Sequence, residues 1–328
     1  MAVVAAVLVV TLVIIPGNNY RNAVALQQAG RYEEAITAFE ALNGYGDSTT
    51  QITETKYLKA KSLAAKGDYA GAVAIFIGIN GYKDVDNLLV NDHNLSVAAA
   101  ARDAKYSVGN YVTFGHYPQT IGGNDSTSIE WLVLARDGNK ALLISRYTLD
   151  KKPYNTSDTD ITWEKCTLRT WLNGNFLNAA FSTNEQRGIL TTTVDNSKEQ
   201  RYSGFVNTYG GNNTQDKIFL LSFAEANHYF GVQFETGFVA EPGKFLNKKS
   251  RVAPTAYAKS NGAKPNDIYK TLDGQFAVNW WLRISFPVKG RQKAEHVCGN
   301  GSLDCWYVIE DRMCVRPAIW IDLNCYIY

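Results

Sequence analysis

Four of the five cysteines, Cys298, Cys305, Cys314 and Cys325, fall within the last 31 residues. Thiols at that density could ligate a metal, pair as disulfides or act as nucleophiles. An odd count leaves at least one thiol free or paired between molecules, and no spacing singles out a pair. The fifth, Cys166, lies within TWEKCTLRTWLNG and reads as a buried structural residue. The four histidines, His93, His116, His228 and His296, stand far apart and show no metal-ligand spacing. HExxH, GxSxG and phosphate-binding loops are missing, and Gly299-Asn300-Gly301 continues as Ser-Leu-Asp rather than as a dinucleotide fingerprint. The expectation is a non-enzyme with no metal site and no cofactor.

Ile284 to Cys314 offers chemistry of a different kind. The interval ISFPVKGRQKAEHVCGNGSLDCWYVIEDRMC keeps neither a period of 2 nor one of 3.6, and its aromatic, charged and thiol side chains are mixed. Exposed segments are ordinarily poorer in such residues. Ile284, Phe286, Val288, Lys289, Arg291, Gln292, Glu295, His296, Cys298 and Asn300 are candidate ligand-binding residues. Asp304, Cys305, Trp306, Tyr307, Ile309, Glu310, Asp311, Arg312 and Cys314 complete the set. Phe286, Trp306 and Tyr307 would act as rigid amphipathic anchors. Lys289, Arg291, Glu310 and Asp311 would set specificity more than affinity. Ala294, Val297, Gly301, Val308 and Val315 read as framework between them. The plainer alternative is an ordinary pair of surface loops.

The elements that must carry this interval are strands, tight turns and short helices. Ile129–Ala135 and Lys140–Arg146 are strand-like runs around Arg136-Asp137-Gly138-Asn139, whose Asp-Gly favours a hairpin. Ser182-Thr183-Asn184-Glu185 and Ser222-Phe223-Ala224-Glu225 have capping-box form. A further helix is expected over Leu168–Leu177, a loop over Tyr202–Asn213, and short β segments after Phe276. All seven tryptophans lie after residue 130, so the two halves of the chain are built differently.

The first half carries a repeat. Tyr20–Ile52 and Tyr57–Leu89 match at an offset of 37 residues, from Tyr20/Tyr57 through Gly30/Gly67 and Phe39/Phe76 to the Asn-Gly-Tyr triplets at 43–45 and 80–82. Apolar residues at helical spacing flank each central glycine, as in paired helices, and Asn91–Lys105 reads as one more helix. The repeat resembles tetratricopeptide units, whose period is about 34 residues. It could form a stalk or a peptide-binding groove. Ahead of it, Ala2–Ile15 is an uncharged apolar run, somewhat short against the ~20 residues a bilayer requires. A buried strand is one reading; a signal anchor whose upstream part precedes Met1 is the other and is the one adopted. The expected domains are therefore 1–16 anchor, 17–105 helical repeats and 106–328 ligand-binding domain. A formal net charge of +2 without a basic stripe argues against nucleic acid as partner.

Five stretches occur in order through the second half: Asn110–Thr120 (NYVTFGHYPQT), Ile129–Leu134 (IEWLVL), Leu168–Asn173 (LRTWLN), Trp280–Arg283 (WWLR) and Val315–Ile321 (VRPAIWI). Together they resemble a domain family widespread in gut bacteria, with a C-type-lectin-like fold of the sulfatase-modifying-factor kind, over roughly residues 107–323. Some members are variable proteins of diversity-generating retroelements, in which the stretch between WWLR and VRPA is rewritten. The resemblance implies an α+β fold and a bacterial cell-envelope protein, anchored through residues 2–15, that presents residues 284–314 to an external protein or glycan. It also carries an alternative, an envelope enzyme related to formylglycine-generating proteins, for whose close cysteine pair Cys298 and Cys305 are the nearest analogue. Calcium-type lectin motifs are missing, since Glu241-Pro242-Gly243 lacks the completing Asn.

Overall fold

A computed structural model describes residues 15–204, 210–234, 248–288 and 291–323. The chain divides into two compact units, one ending at Ala104 and one running from Lys105 to Asp322.

The first unit is helical: α1 Ile15–Gln28, α2 Tyr32–Glu40, α3 Ser48–Ala65, α4 Tyr69–Ile77, α5 Val85–Asn91 and α6 His93–Lys105. The 37-residue offset has a physical basis in two equivalent hinges and two equivalent cores. Gly30 (φ 74°) and Gly67 (φ 84°) take the left-handed conformation that ends α1 and α3. The residue after each glycine then donates back into its helix, Arg31 to Leu26 at 3.0 Å and Asp68 to Leu63 at 2.9 Å. Inside the pairs, Tyr20 meets Phe39 with ring centroids 5.7 Å apart, and Tyr57 meets Phe76 at 6.1 Å. The Tyr20 hydroxyl donates to Asp47 and the Tyr57 hydroxyl to Asp84, again 37 positions apart. The helix expected over 91–105 forms as α6, starting two residues later at His93. Asp92 is extended (ψ 115°), and its carboxylate caps Asn94 and Leu95, so α5 stops and α6 begins.

Residues 1–14 of the expected anchor lie outside the described residues. Ile15, the first described residue, already lies within α1. Among the described residues, no helix is long and apolar enough to cross a membrane.

The second unit is α+β. Its strands are β1 Tyr111–His116, β2 Ser128–Asp137, β3 Lys140–Ser145, β4 Asp150–Lys151, β5 Thr192–Val194, β6 Thr214–Asp216, β7 Ile218–Phe219, β8 Trp280–Val288, β9 Arg291–Val297, β10 Leu303–Tyr307, β11 Cys314–Val315 and β12 Ala318–Asp322. They form two five-stranded sheets, ordered β1-β2-β3-β12-β7 and β10-β9-β8-β11-β4, with β5-β6 as a separate pair. The β2–β3 hairpin closes through Gly138 (φ 53°) and Asn139, as the sequence predicts. Both capping boxes are present, at the helices Thr183–Gly188 and Phe223–Phe230. The helix expected over Leu168–Leu177 runs from Thr167 to Ala180, with a wider π turn at Leu172–Phe176. The described parts of Tyr202–Asn213 contain no helix or strand.

Much of the five ordered stretches is core. Trp131, Trp163, Trp280 and Trp281 are fully buried, and each indole N–H finds an acceptor: Phe114 O, Asp216 Oδ2, Ser250 O and Lys152 O at 2.7–3.1 Å. Arg283 is also fully buried. Its guanidinium donates to Asn196 Oδ1, Leu220 O, Asp195 O and the Glu225 carboxylate, tying β8 to the helix Phe223–Phe230. Arg316 of the VRPA stretch lies over the rings of Phe230 and Trp280, 5.0 Å from each centroid. Asn173 bonds both backbone groups of Ile218 and so holds edge strand β7. Arg283 and Asn173 close hydrogen bonds that burial would otherwise leave open.

Candidate functional site

Strands β8, β9 and β10 bring Ile284–Cys314 together as a three-stranded layer, with β10 at the sheet edge. Cross-strand pairs are Phe286↔Lys293 and Ser285↔Ala294 between β8 and β9, and Trp306↔Ala294 and Tyr307↔Lys293 between β9 and β10. Burial changes along this layer as well as across it. Near the base, both faces of β9 are covered, and Glu295, His296 and Val297 are all buried; toward the tip, Arg291 and Lys293 emerge.

Six candidates are therefore corrected. Ile284, Phe286, Gln292, Glu295, His296 and Cys314 are buried and cannot contact an external ligand. Phe286 was expected to be an anchor and instead is 4% exposed on a strand enclosed by its neighbours. Gln292 donates to Ile161 O at 2.7 Å, and Cys314 is held between Trp280 and Lys151 by strand pairing. Lys289 and the Val288 side chain lie outside the described residues, as do Cys325 and residues 241–243. The framework positions Ala294, Val297, Gly301, Val308 and Val315 are buried as expected.

Arg291, Trp306, Ile309, Asp311 and Arg312 are exposed, and Cys298, Asn300, Asp304, Cys305, Tyr307 and Glu310 are half-buried. Several of these make an ordered cluster. The Arg291 guanidinium lies 3.7 Å from the Tyr307 ring centroid and pairs with Asp158 at 2.8 Å. Lys293 approaches the same ring at 5.0 Å and the Trp306 ring at 5.9 Å. The Trp306 indole donates to Glu310 at 3.0 Å, and Arg312 grips that carboxylate through two bonds of 2.9 Å. Those Arg312 bonds hold Glu310 at about 2, well below the usual carboxylate range. Trp306 (39% exposed) and Ile309 (40%) still offer apolar surface beside these fixed charges. Preset aromatic faces flanked by cations lose little entropy on binding. Sequence reasoning missed Lys293 and Asp158. Lys293 sits between the singled-out Gln292 and Glu295 and could have been found, whereas Asp158 is 133 positions from its partner and left no local signal.

Beneath the cluster the chemistry changes. Burial pushes the Glu295 carboxyl up to about 8; its Oε1 accepts from the Tyr202 N–H at 2.9 Å, while Oε2 has no hydrogen-bond partner among the described residues. The four described cysteines are free thiols, and burial raises Cys305 to about 11. Cys305 pairs with Glu295 across the strands, whereas the Cys298 thiol turns to His296 Nε2 at 3.4 Å. The two thiols proposed as a formylglycine-type pair therefore point to different neighbours. His116 contacts Ser128, and His228 packs on Tyr229, so neither joins His296.

A family model described as a domain of unknown function, DUF6273, matches residues 138–323. No curated protein and no solved structure matches the chain.

Proposed function

Since the chain belongs to the DUF6273 family, a domain whose description leaves its activity open, we propose that it is a surface-displayed receptor or adhesin that binds an external protein or glycan through the tip of β9–β10. On this reading the second unit is a C-type-lectin-like frame. The first unit is a tetratricopeptide-like stalk, and the apolar run at residues 2–15 is its membrane anchor in the envelope of a bacterium. The observation that carries the reading is the Arg291–Tyr307–Lys293–Trp306 cluster. Four large side chains are held in place at the surface by stacking and ion pairs, an arrangement that supplies binding energy from preset anchors. Diversification by a retroelement belongs to the same reading but is confined to the outward positions 291, 306, 307, 309, 311 and 312. A change at buried Ile284 or Phe286 would open a cavity. The envelope-enzyme alternative has less support, because a thiol pushed up to about 11 at Cys305 is a poor source of nucleophilic thiolate.

The test is binding of the full chain to glycan and surface-protein arrays, beside the double variant Trp306→Ala, Tyr307→Ala. Hits lost at least about tenfold in the variant support the reading. Hits that the variant leaves unchanged would refute it.

A further inference from the structure

The β9–β10 turn gathers three metal-binding side chains of different kinds. His296 and Asp304 face each other directly across the two strands, and Cys298 follows His296 by two residues. One donor atom from each lies within 4.8 Å of the others. We propose that these residues bind a zinc-class divalent cation as an N/S/O set, a site independent of the recognition cluster at the other end of the same strands.

Three observations carry the assignment. First, the separation fits. Tetrahedral zinc with Zn–N of about 2.0–2.1 Å and Zn–S of about 2.3 Å puts the two donors roughly 3.5 Å apart, and His296 Nε2 stands 3.4 Å from Cys298 Sγ. Second, the ligands are carried on a braced backbone. Cys298 and Ser302 bond at 2.8 Å, Gly301 (φ 96°) donates back to Cys298 at 2.8 Å, and Gly299 is held by Asn279 at 2.8 Å. The Asp304 carboxylate is oriented through Oδ1, which accepts from the Cys305 N–H at 2.7 Å. Third, the imidazole is buried, and its Nδ1 makes no hydrogen bond among the described residues. A Cys–His–Asp catalytic triad requires that nitrogen to donate to its orienting carboxylate, and here it does not. The nitrogen beside Cys298 Sγ is Nε2, which leaves that atom as the ring's metal-binding donor.

Cys298 and Asp304 are only half-buried, which gives the cation a way in. Binding exchanges the Cys298 S–H bond for a metal–sulfur bond, and the proton leaves to solvent. Three protein ligands leave the fourth tetrahedral position to water.

The experiment uses the full chain without a histidine tag, stripped with a chelator and titrated with Co2+ and then Zn2+. One equivalent of Co2+ with thiolate-to-metal charge-transfer absorption, together with proton release, is expected. Cys298→Ser abolishes that absorption, Asp304→Asn weakens zinc at least about tenfold, and Cys305→Ser leaves both unchanged. Circular dichroism of each variant separates loss of a ligand from loss of the fold. An absent charge-transfer band in the wild type, a band that survives Cys298→Ser, or an Asp304→Asn protein that binds zinc as the wild type does would each overturn the proposal. None of these outcomes bears on the recognition cluster, whose own test uses Trp306 and Tyr307.

Discussion

Strand β8 and strand β10 come from one irregular stretch of sequence and lie two places apart in the same sheet, yet they do opposite work. β8 sends Trp280, Trp281, Arg283, Ile284 and Phe286 inward, while β10 starts on buried Leu303 and carries exposed Trp306 just before its end. The difference is positional. β8 pairs with β9, is flanked by β11 at Trp280, and donates from the Arg283 N–H to Leu221 O, whereas β10 is paired through β9 alone along its Trp306–Tyr307 end. An edge strand can vary its outward side chains at little cost to packing, and a central strand cannot. Mixed composition is therefore a poor guide to exposure, because a buried polar residue supplied with partners looks the same in sequence as a surface one.

The contrast can be broken most forcefully from the inside. Phe286→Ala should cost about 3–5 kcal/mol in urea unfolding, the usual penalty for emptying an aromatic site in a packed core. A cost below 1 kcal/mol would place Phe286 with the tolerant half.

Glu295 sharpens the comparison through pH. Its folded carboxyl titrates at about 8, above the ~4.3 of an unfolded chain. Between those values the unfolded state gives up the proton and the folded state keeps it. Stability that is fully present below about pH 4 therefore drains away as pH rises to about 8. Glu295→Gln keeps the oxygen that accepts from Tyr202 and removes the ionisable group, so it should stabilise the fold on the order of 1–3 kcal/mol at pH 8 and hardly at pH 4. Thermal unfolding at both pH values measures this, and an effect of the same size at each would show that ionisation is not the cause.

The smallest effect is expected at the surface. Trp306→Ala should change folding stability by no more than about 0.5 kcal/mol, despite removing the largest side chain of β10. A loss of 2 kcal/mol in the same urea assay would make it a structural residue.

Local patterns in the sequence resolved into local structures. The Asp-Gly hairpin, both serine–glutamate capping boxes and the paired glycines of the repeat are each settled within a few residues, and each formed. The repeat was legible in its aromatics, but the Asp47 and Asp84 partners that fix Tyr20 and Tyr57 were not singled out. The candidate site was half legible. Trp306, Tyr307, Arg291, Glu310 and Arg312 do gather at the surface, whereas Ile284, Phe286, Gln292, Glu295, His296 and Cys314 are interior. The bulge in β8 between Trp281 and Ser285, which disrupts simple alternation, hid that division. The approach of Cys298 and Asp304 to His296 depends on the β9–β10 register, which no spacing within the chain announces.

The central claim is that the outward half of this layer is free to serve recognition because folding does not need it. Two libraries of the full chain test that most directly, one randomised at 291, 306, 307, 309, 311 and 312 and the other at 284, 286, 292, 295, 296 and 314, each scored for protease resistance. Most of the first library should remain folded and nearly all of the second should be digested. Equal survival of the two, or collapse of the first, would contradict the account.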